Sequence, residues 1–469
     1  MNKMNNPFRP LITLLWCSLL SALPTVGGAA TLLGASQQPT EANAKQTPIK
    51  ADINRADIKA WEPNEKPQLR ATMTNPADQT VTLLYTVNLY YDMEDPKTHT
   101  HPLYQTYLTN VTLAAGETKT VTLPLDRLKR PGFYRMKATV DSIELCDYVI
   151  GYNPTAIVSP DDAQPDFWSY WDNAKAQLNS IAPNFTIVEE MTDYSTVNRK
   201  VYKVSMQSVP DAPGDAPTTI YGYYAEPVAP GTYPALVRFQ GTDGGQGPIA
   251  LPMSGDSNPG WVELTISTRG QQLGRDAKYG FDFYAYEWGD TARHYYRGAY
   301  LDCLRAVQVV QHMKKVNPRL VFGTGVSQGG CFAYVAAGLS GTMAGIAPAI
   351  TGHADFTDGM KIVSWPRDKF LAGQAAKGMT DAERDAFNSY YDTMNFCSRI
   401  TCPVITNFSL QDHLDPPHTN VAPFNLLTRV SKADKAYVIN AFKGHAPADD
   451  WSAIYMAFFA KWLSTAKAK

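Results

Sequence analysis

Leu320-Val321-Phe322-Gly323-Thr324-Gly325-Val326-Ser327-Gln328-Gly329 decides the fold. An apolar strand, Leu320 to Thr324, runs directly into Gly-x-Ser-x-Gly, and an apolar helix is predicted to start near Phe332. Strand, sharp turn and helix form the setting in which this motif carries a nucleophile. The turn strains the central backbone and crowds the positions two residues away, so those positions need glycine, here Gly325 and Gly329. It also points the Ser327 hydroxyl into a cleft and aims helix amides at an anion. A plain glycine-rich turn would need neither the strand nor the helix.

Outward from this stretch, apolar runs alternate with helical segments. The runs are Ala235 to Phe239, Val262 to Ile266, Leu320 to Thr324, Val404 to Phe408 and Ala436 to Asn440. Long helices are expected over Tyr295 to Lys315 and Trp451 to Ser464, and a further one over Phe167 to Leu178 places Trp168 and Trp171 in the core. This rhythm implies an α/β fold, a mostly parallel sheet with helices on both faces. Residues 51–152 differ. Leu69 to Met73, Val81 to Tyr91, Tyr107 to Leu113, Thr118 to Leu123 and Phe133 to Ile150 are rich in Val, Thr, Tyr and Leu, with turn signals between them. An immunoglobulin-like β-sandwich that packs against or shields the next domain is the simplest reading.

The expected organisation is therefore an export signal over 1–30, a polar linker over 31–50, the sandwich over 51–152 and an α/β-hydrolase catalytic domain over 153–469. Lys3 and Arg9 precede an apolar run from Leu11 to about Leu23, followed by Gly27, Gly28, Ala29 and Ala30. That pattern is a secretory signal, too short for a spanning helix, so the mature chain is expected to be exported, periplasmic or secreted, without stable membrane insertion. The 42 Lys plus Arg nearly balance 44 Asp plus Glu with no long basic run, which argues against a nucleic-acid partner. Beyond Cys17 of the signal, Cys146, Cys303, Cys331, Cys397 and Cys402 fit neither a disulfide framework nor a zinc motif, although Cys397 and Cys402 flank a turn and could pair.

A serine hydroxyl needs an adjacent base, and the base an orienting carboxylate; in this fold the chain order is Ser, Asp or Glu, His. His445, in a loop after the last predicted strand, stands where the base belongs. Asp412 and Asp415 both follow the strand Val404 to Phe408. Asp412, closer to the strand end, is preferred, leaving Asp415 in the loop or facing substrate, and His413 and His418 at the surface or a pocket rim. The oxyanion should be held by the backbone amide of Gln328 and a second from Gln240-Gly241-Thr242-Asp243-Gly244-Gly245, for which Thr242 is the candidate.

From about Asp166 onward the chain resembles the acetyl xylan esterase and cephalosporin C deacetylase family, carbohydrate esterase family 7. The likeness rests on Gly325 to Gly329, Arg269-Gly270-Gln271, Tyr295-Tyr296-Arg297-Gly298 with Tyr300-Leu301-Asp302, Asn395-Phe396, Ile400-Thr401-Cys402-Pro403-Val404, and Asp-x-x-x-Pro-Pro-x-Thr as Asp412 to Thr419. The resemblance implies a Ser327, Asp412, His445 triad, favours Asp412 over Asp415, and makes Arg269 and Gln271 structural supports of the site. It implies deacetylation of small acetylated carbohydrates such as xylo-oligosaccharides, with no cofactor and no metal, and it allows a homo-oligomer that excludes polymers. The family's His-Glu pair is His445-Ala446 here, its His-Gly-Tyr is Gln240-Gly241-Thr242, and the Phe281 to Trp288 segment and the sandwich are additions. Two rivals follow from composition. A prolyl-oligopeptidase-type peptidase would need a propeller of about 40 to 45 residues per blade that the N-terminal region cannot supply. A silent carbohydrate-binding protein would not need the complete triad.

Overall fold

A computed structural model describes residues 49–463 except 96–97, 99, 243–259 and 281–282. The expected signal and nearly all of the linker lie outside the described residues. The described residues form one compact unit.

Eight strands open the described chain: β1 (Lys50–Ile53), β2 (Ala60–Trp61), β3 (Gln68–Thr74), β4 (Val81–Tyr91), β5 (Leu103–Leu113), β6 (Thr118–Pro124), β7 (Gly132–Val140) and β8 (Ile143–Tyr152). They form a three-stranded sheet, β1-β3-β6, and a five-stranded sheet, β2-β8-β7-β4-β5. Alternate residues face inward: Leu69, Ala71 and Met73 of β3 share one core with Tyr85, Val87 and Leu89 of β4 and Tyr134, Met136 and Ala138 of β7. The expected sandwich is present. The single stretch Phe133 to Ile150 is a hairpin, turned at Asp141, whose φ of 48° lets the chain reverse.

After helix α1 (Phe167–Asn179) comes the large sheet, built from β9 (Thr186–Glu190), β10 (Arg199–Ser208), β11 (Thr218–Pro227), β12 (Tyr233–Phe239), β13 (Val262–Ser267), β14 (Val316–Val326), β15 (Gly345–Ala349), β16 (Val404–Ser409) and β17 (Lys435–Asn440). Its order is β17-β16-β15-β14-β12-β13-β11-β10-β9, parallel from β17 to β13 and antiparallel beyond. Helices α2 (Tyr295–Gln311) and α3 (Gln328–Ser340) follow β13 and β14 in the chain. Then come α4 (Phe356–Gly359), α5 (Ser364–Lys377), α6 (Asp381–Ser389), α7 (Thr393–Phe396), α8 (Pro417–Asn425) and α9 (Trp451–Ala460). Val237 and Val321 point into the core shared with α2 and α3, whereas Leu236 and Phe322 point into the one shared with α9. Both faces of the sheet are thus covered, as parallel strands require.

Trp171 is fully buried, as expected, while Trp168 is half-buried under the Arg399 guanidinium, 3.8 Å from its ring centre. The sequence reading missed β15 and the antiparallel edge. It also started α3 four residues late, because Gln328-Gly329-Gly330 is a poor helix former taken alone. Cys397 and Cys402 are free thiols, not a disulfide; the Cys397 sulfur lies against the Thr393 carbonyl of its own turn, 3.6 Å away. Among the described residues no helix is long and apolar enough to cross a membrane.

Candidate active site

Ser327 sits between β14 and α3 with φ 60° and ψ −124°, a conformation a non-glycine residue holds only under constraint. The constraint is visible in its neighbours. A Cβ on Gly325 would lie 2.1 Å from the Gly329 carbonyl oxygen, and one on Gly329 would lie 2.2 Å from that of Phe239. Both glycines are required by close backbone approach. The Ser327 amide donates to Ala349 of β15 at 3.0 Å and its carbonyl accepts from Gly352 at 3.2 Å, which ties the turn to the neighbouring strand.

The loops after β16 and β17 bring the other two groups. His445 Nε2 lies 3.0 Å from Ser327 Oγ, and His445 Nδ1 lies 2.9 and 3.2 Å from the two carboxylate oxygens of Asp412. The two loops hold each other: Ser409 Oγ donates to the Ala446 carbonyl at 2.6 Å, and the Gln411 amide to that of Lys443 at 3.1 Å. Asp412 Oδ1 also accepts from the Leu414 and Asp415 amides, so its carboxylate is fixed by its own loop. Burial works against charge on His445, but the hydrogen bond to Asp412, with the charges of Asp415 and Asp412, raises its pKa above the ordinary histidine value. A serine, an imidazole and a buried carboxylate in this order are the groups that acyl transfer through a serine ester needs.

Gln328 opens α3, and a first helical residue has no carbonyl one turn back to satisfy its amide. Gly241 passes over the turn: a Cβ there would lie 3.2 Å from the Val326 carbonyl and 4.0 Å from Ser327 Cβ. Thr242 follows it and is exposed. The Gln328 side chain is buried, donating to Tyr296 at 2.9 Å and accepting from Gln271 Nε2 at 2.8 Å; Gln271 also donates to Tyr295 at 2.7 Å. Arg269 lies one layer deeper, with Asp302 at 2.6 and 2.9 Å and Asp211 at 2.8 Å. Arg269 and Gln271 therefore touch the bracing of α3 and its neighbours.

Asp415, read as a loop or substrate-facing group, lies in its loop, buried, with Oδ2 3.3 Å from Ser327 Oγ. Burial pushes its carboxyl up to about 7, with Asp412 adding to the rise and His445 opposing it. His418, read as a surface or rim group, is buried beside Asp92 of the sandwich, Nδ1 to Oδ2 2.8 Å, and 3.6 Å from Asp358. Burial disfavours its charge, yet Asp92 and Asp358 push it up to about 10. His413 is exposed and borders a cleft of about 250 Å³ between the sandwich and the Asp412 loop. The partners Asp92 and Asp211 carry no local signal, since each acts through contacts made only by the folded chain, whereas Gly241 lies in the loop the sequence singled out.

Fold and site together define a carboxylic ester hydrolase of the α/β-hydrolase type. Residues 156–463 match the acetyl xylan esterase family, and the chain belongs to it. An acetyl esterase of Xylanibacter ruminicola, Axe7A, is 26% identical over 338 residues, which are 68% of this chain and 72% of that protein. Among solved structures, an acetyl xylan esterase from a Paenibacillus species is 26% identical with a TM-score of 0.55, covering 65% of this chain and 97% of that one. Acetyl xylan esterase 1 from a Thermoanaerobacterium species has a TM-score of 0.56 at 19% identity, over 66% and 97% of the two chains, a likeness of fold.

Proposed function

We propose that the chain is a serine esterase that removes acetyl groups from small acetylated carbohydrates, such as xylo-oligosaccharides, through an acyl-enzyme. The observation that carries this reading is the unbroken hydrogen-bonded line Ser327, His445, Asp412 at 3.0 and 2.9 Å. His445 Nε2 takes the Ser327 proton as Oγ attacks the ester carbonyl. The amides of Gln328 and Thr242 hold the resulting oxyanion, and the imidazolium returns its proton to the departing sugar oxygen. Water then gives a proton to His445 and attacks the acetyl-serine, releasing acetate and restoring Ser327. Asp412 fixes the Nδ1–H tautomer throughout. Arg269 and Gln271 act at a distance, holding the start of α3 in place.

Two features support a short acyl group and a carbohydrate substrate. A small, partly open cavity of about 20 Å³ lies beside Asp415, His353 and Trp365; Ser327 does not line it, but Asp415 Oδ2 stands 3.3 Å from Ser327 Oγ, so the space on this side of the nucleophile is confined. The matched relatives are described as acetyl esterases and acetyl xylan esterases. The division into signal (1–30), linker (31–50), sandwich (51–152) and catalytic domain (153–469), export of the mature chain, and an oligomer that admits only short substrates belong to the same reading.

Hydrolysis of p-nitrophenyl acetate, butyrate and octanoate by the mature protein and by Ser327→Ala tests it. Turnover should fall steeply with chain length and vanish in the variant. A Ser327→Ala protein that still hydrolyses acetate at the wild-type rate would remove the serine mechanism. Acetylated xylo-oligosaccharides assayed beside acetylated polymer then test the substrate.

A further inference from the structure

Resting on Ser327 as nucleophile and His445 as base, we propose that Asp415 is a fourth catalytic residue, a second carboxylate bearing on both groups, whose own proton must leave before Ser327 can be activated.

The position is built rather than incidental. Asp415 Oδ2 lies 3.3 Å from Ser327 Oγ and 3.8 Å from His445 Nδ1. Its backbone is held on both sides, its amide donating to Asp412 Oδ1 at 3.0 Å and its carbonyl accepting from Asn420 Nδ2 at 2.7 Å. The side chain rests on Gly352, where a Cβ would stand 3.1 Å from Oδ2, so a larger residue there would crowd the carboxyl. Among the described residues no lysine or arginine pairs with it; His445 is its one ion-pair partner.

The titratable groups around it are few. Ser327 faces it from the turn before α3, and Asp412 and His445 from their loops. His353, from the segment after β15, lines the same small cavity, and burial pushes that imidazole down to about 3, so it stays neutral. Two buried carboxylates therefore face one imidazole, and burial together with the Asp412 charge raises the Asp415 carboxyl.

The chemistry follows from which group holds the proton. A protonated Asp415 donates its O–H to Ser327 Oγ, occupying a lone pair of the attacking atom, and lends no charge to His445. Once that proton has passed to solvent, the carboxylate stabilises the imidazolium formed when His445 accepts the Ser327 proton. No bond other than O–H is made or broken. Asp415 and His445 titrate as a coupled pair, so the apparent values belong to both. The productive form has lost two protons, one from each.

The test is kcat/KM for acetate release from about pH 5 to about pH 10 in wild type, Asp415→Asn and Ser327→Ala. The wild-type acid limb should approach a slope of two on logarithmic axes. Asparagine keeps the shape and backbone contacts but not the charge. Asp415→Asn, whose amide N–H cannot leave as a proton, should show a residual activity with a slope of one, a midpoint about one pH unit lower because His445 has lost an anionic neighbour, and a plateau reduced about a hundredfold. A merely structural role would lower the plateau and leave slope and midpoint unchanged, and that result overturns the proposal. Should the variant not fold, the pH dependence of Ser327 phosphonylation by a fluorophosphonate in the wild type gives the same answer: slope two supports, slope one refutes. An active Ser327→Ala would instead sink the underlying serine reading.

Discussion

Ser327 is held in a backbone conformation whose strain costs about 1 to 3 kcal/mol, and the neighbouring glycines and the β15 hydrogen bonds over-determine it. In the proposed serine mechanism its reactivity depends on the tautomer of His445, which the hydrogen bond to Asp412 would set. Asp412→Asn should lower kcat by about 10³ to 10⁴, because the amide favours the wrong tautomer. That loss should exceed the about hundredfold cost of Asp415→Asn, and steady-state kinetics at the alkaline plateau compares the two. Equal losses would mean that the two carboxylates share the orienting role. The pH dependence has a definite sign: His445 is raised above its ordinary value, so a neutral base is available only above that range and activity is lost as pH falls through it. At this scale the sequence pointed to Ser327 by its motif and to His445 by chain order and loop position, and preferred Asp412 to Asp415 by its nearness to the strand end and by the family resemblance without deciding between them. It left Asp415 open, since three residues of loop can turn a side chain either way.

Among the elements, α2 and α3 decide how accurately the site is built. Arg269 reaches under α2 to Asp302, and the Gly298 position exists for it: a Cβ there would lie 2.2 Å from Arg269 Nη1. The guanidinium cannot move aside, being held by Asp302, Asp211 and the Val209 carbonyl. Gly298→Ala should therefore destabilise the protein by about 2 kcal/mol or more and disturb α3 through Gln271 and Gln328. Thermal melting and kcat measured together check this; a variant with wild-type values of both would show that the helices slide apart without cost. The Gly325 to Gly329 turn was legible because its glycines have one purpose. The true start of α3 was not, because the propensity of Gln328-Gly329-Gly330 speaks against helix while packing against Phe239 and Ala349 demands small residues there.

Across the whole molecule, the sandwich grips the loop that carries Asp412. Gln411 exchanges two hydrogen bonds with the Val149 backbone of β8, at 2.9 and 3.0 Å, and Glu94 pairs with Arg367 at 2.9 Å. The buried centre of this contact is His418, between Asp92 and Asp358, with Lys361 on Asp358 at 2.7 Å. Its folded pKa, about 10, lies above the unfolded value of about 6.5. Its charge thus contributes stability that is fully present below about pH 6.5 and is lost as pH rises through about 10. His418→Gln should cost about 3 kcal/mol near neutrality by taking the cation away from Asp92 and leaving Asp358 to Lys361 alone, and less at alkaline pH. Melting curves of both proteins across that range should converge; a gap independent of pH would assign the loss to packing alone.

The sequence by itself determined the class of fold, the candidates for nucleophile and base, and most strands of the three sheets, because periodicity, glycine placement and chain order act over a few residues. Val81–Tyr91 and the Gly-x-Ser-x-Gly turn needed no partner to be read. Only the tertiary structure decided which loop carboxylate lies behind His445 and which lies beside Ser327, that His418 is a buried cation, and that Cys397 and Cys402 stay reduced. Those outcomes depend on burial and on partners such as Asp92, 326 residues away in the chain, and such distances leave no periodic trace in sequence.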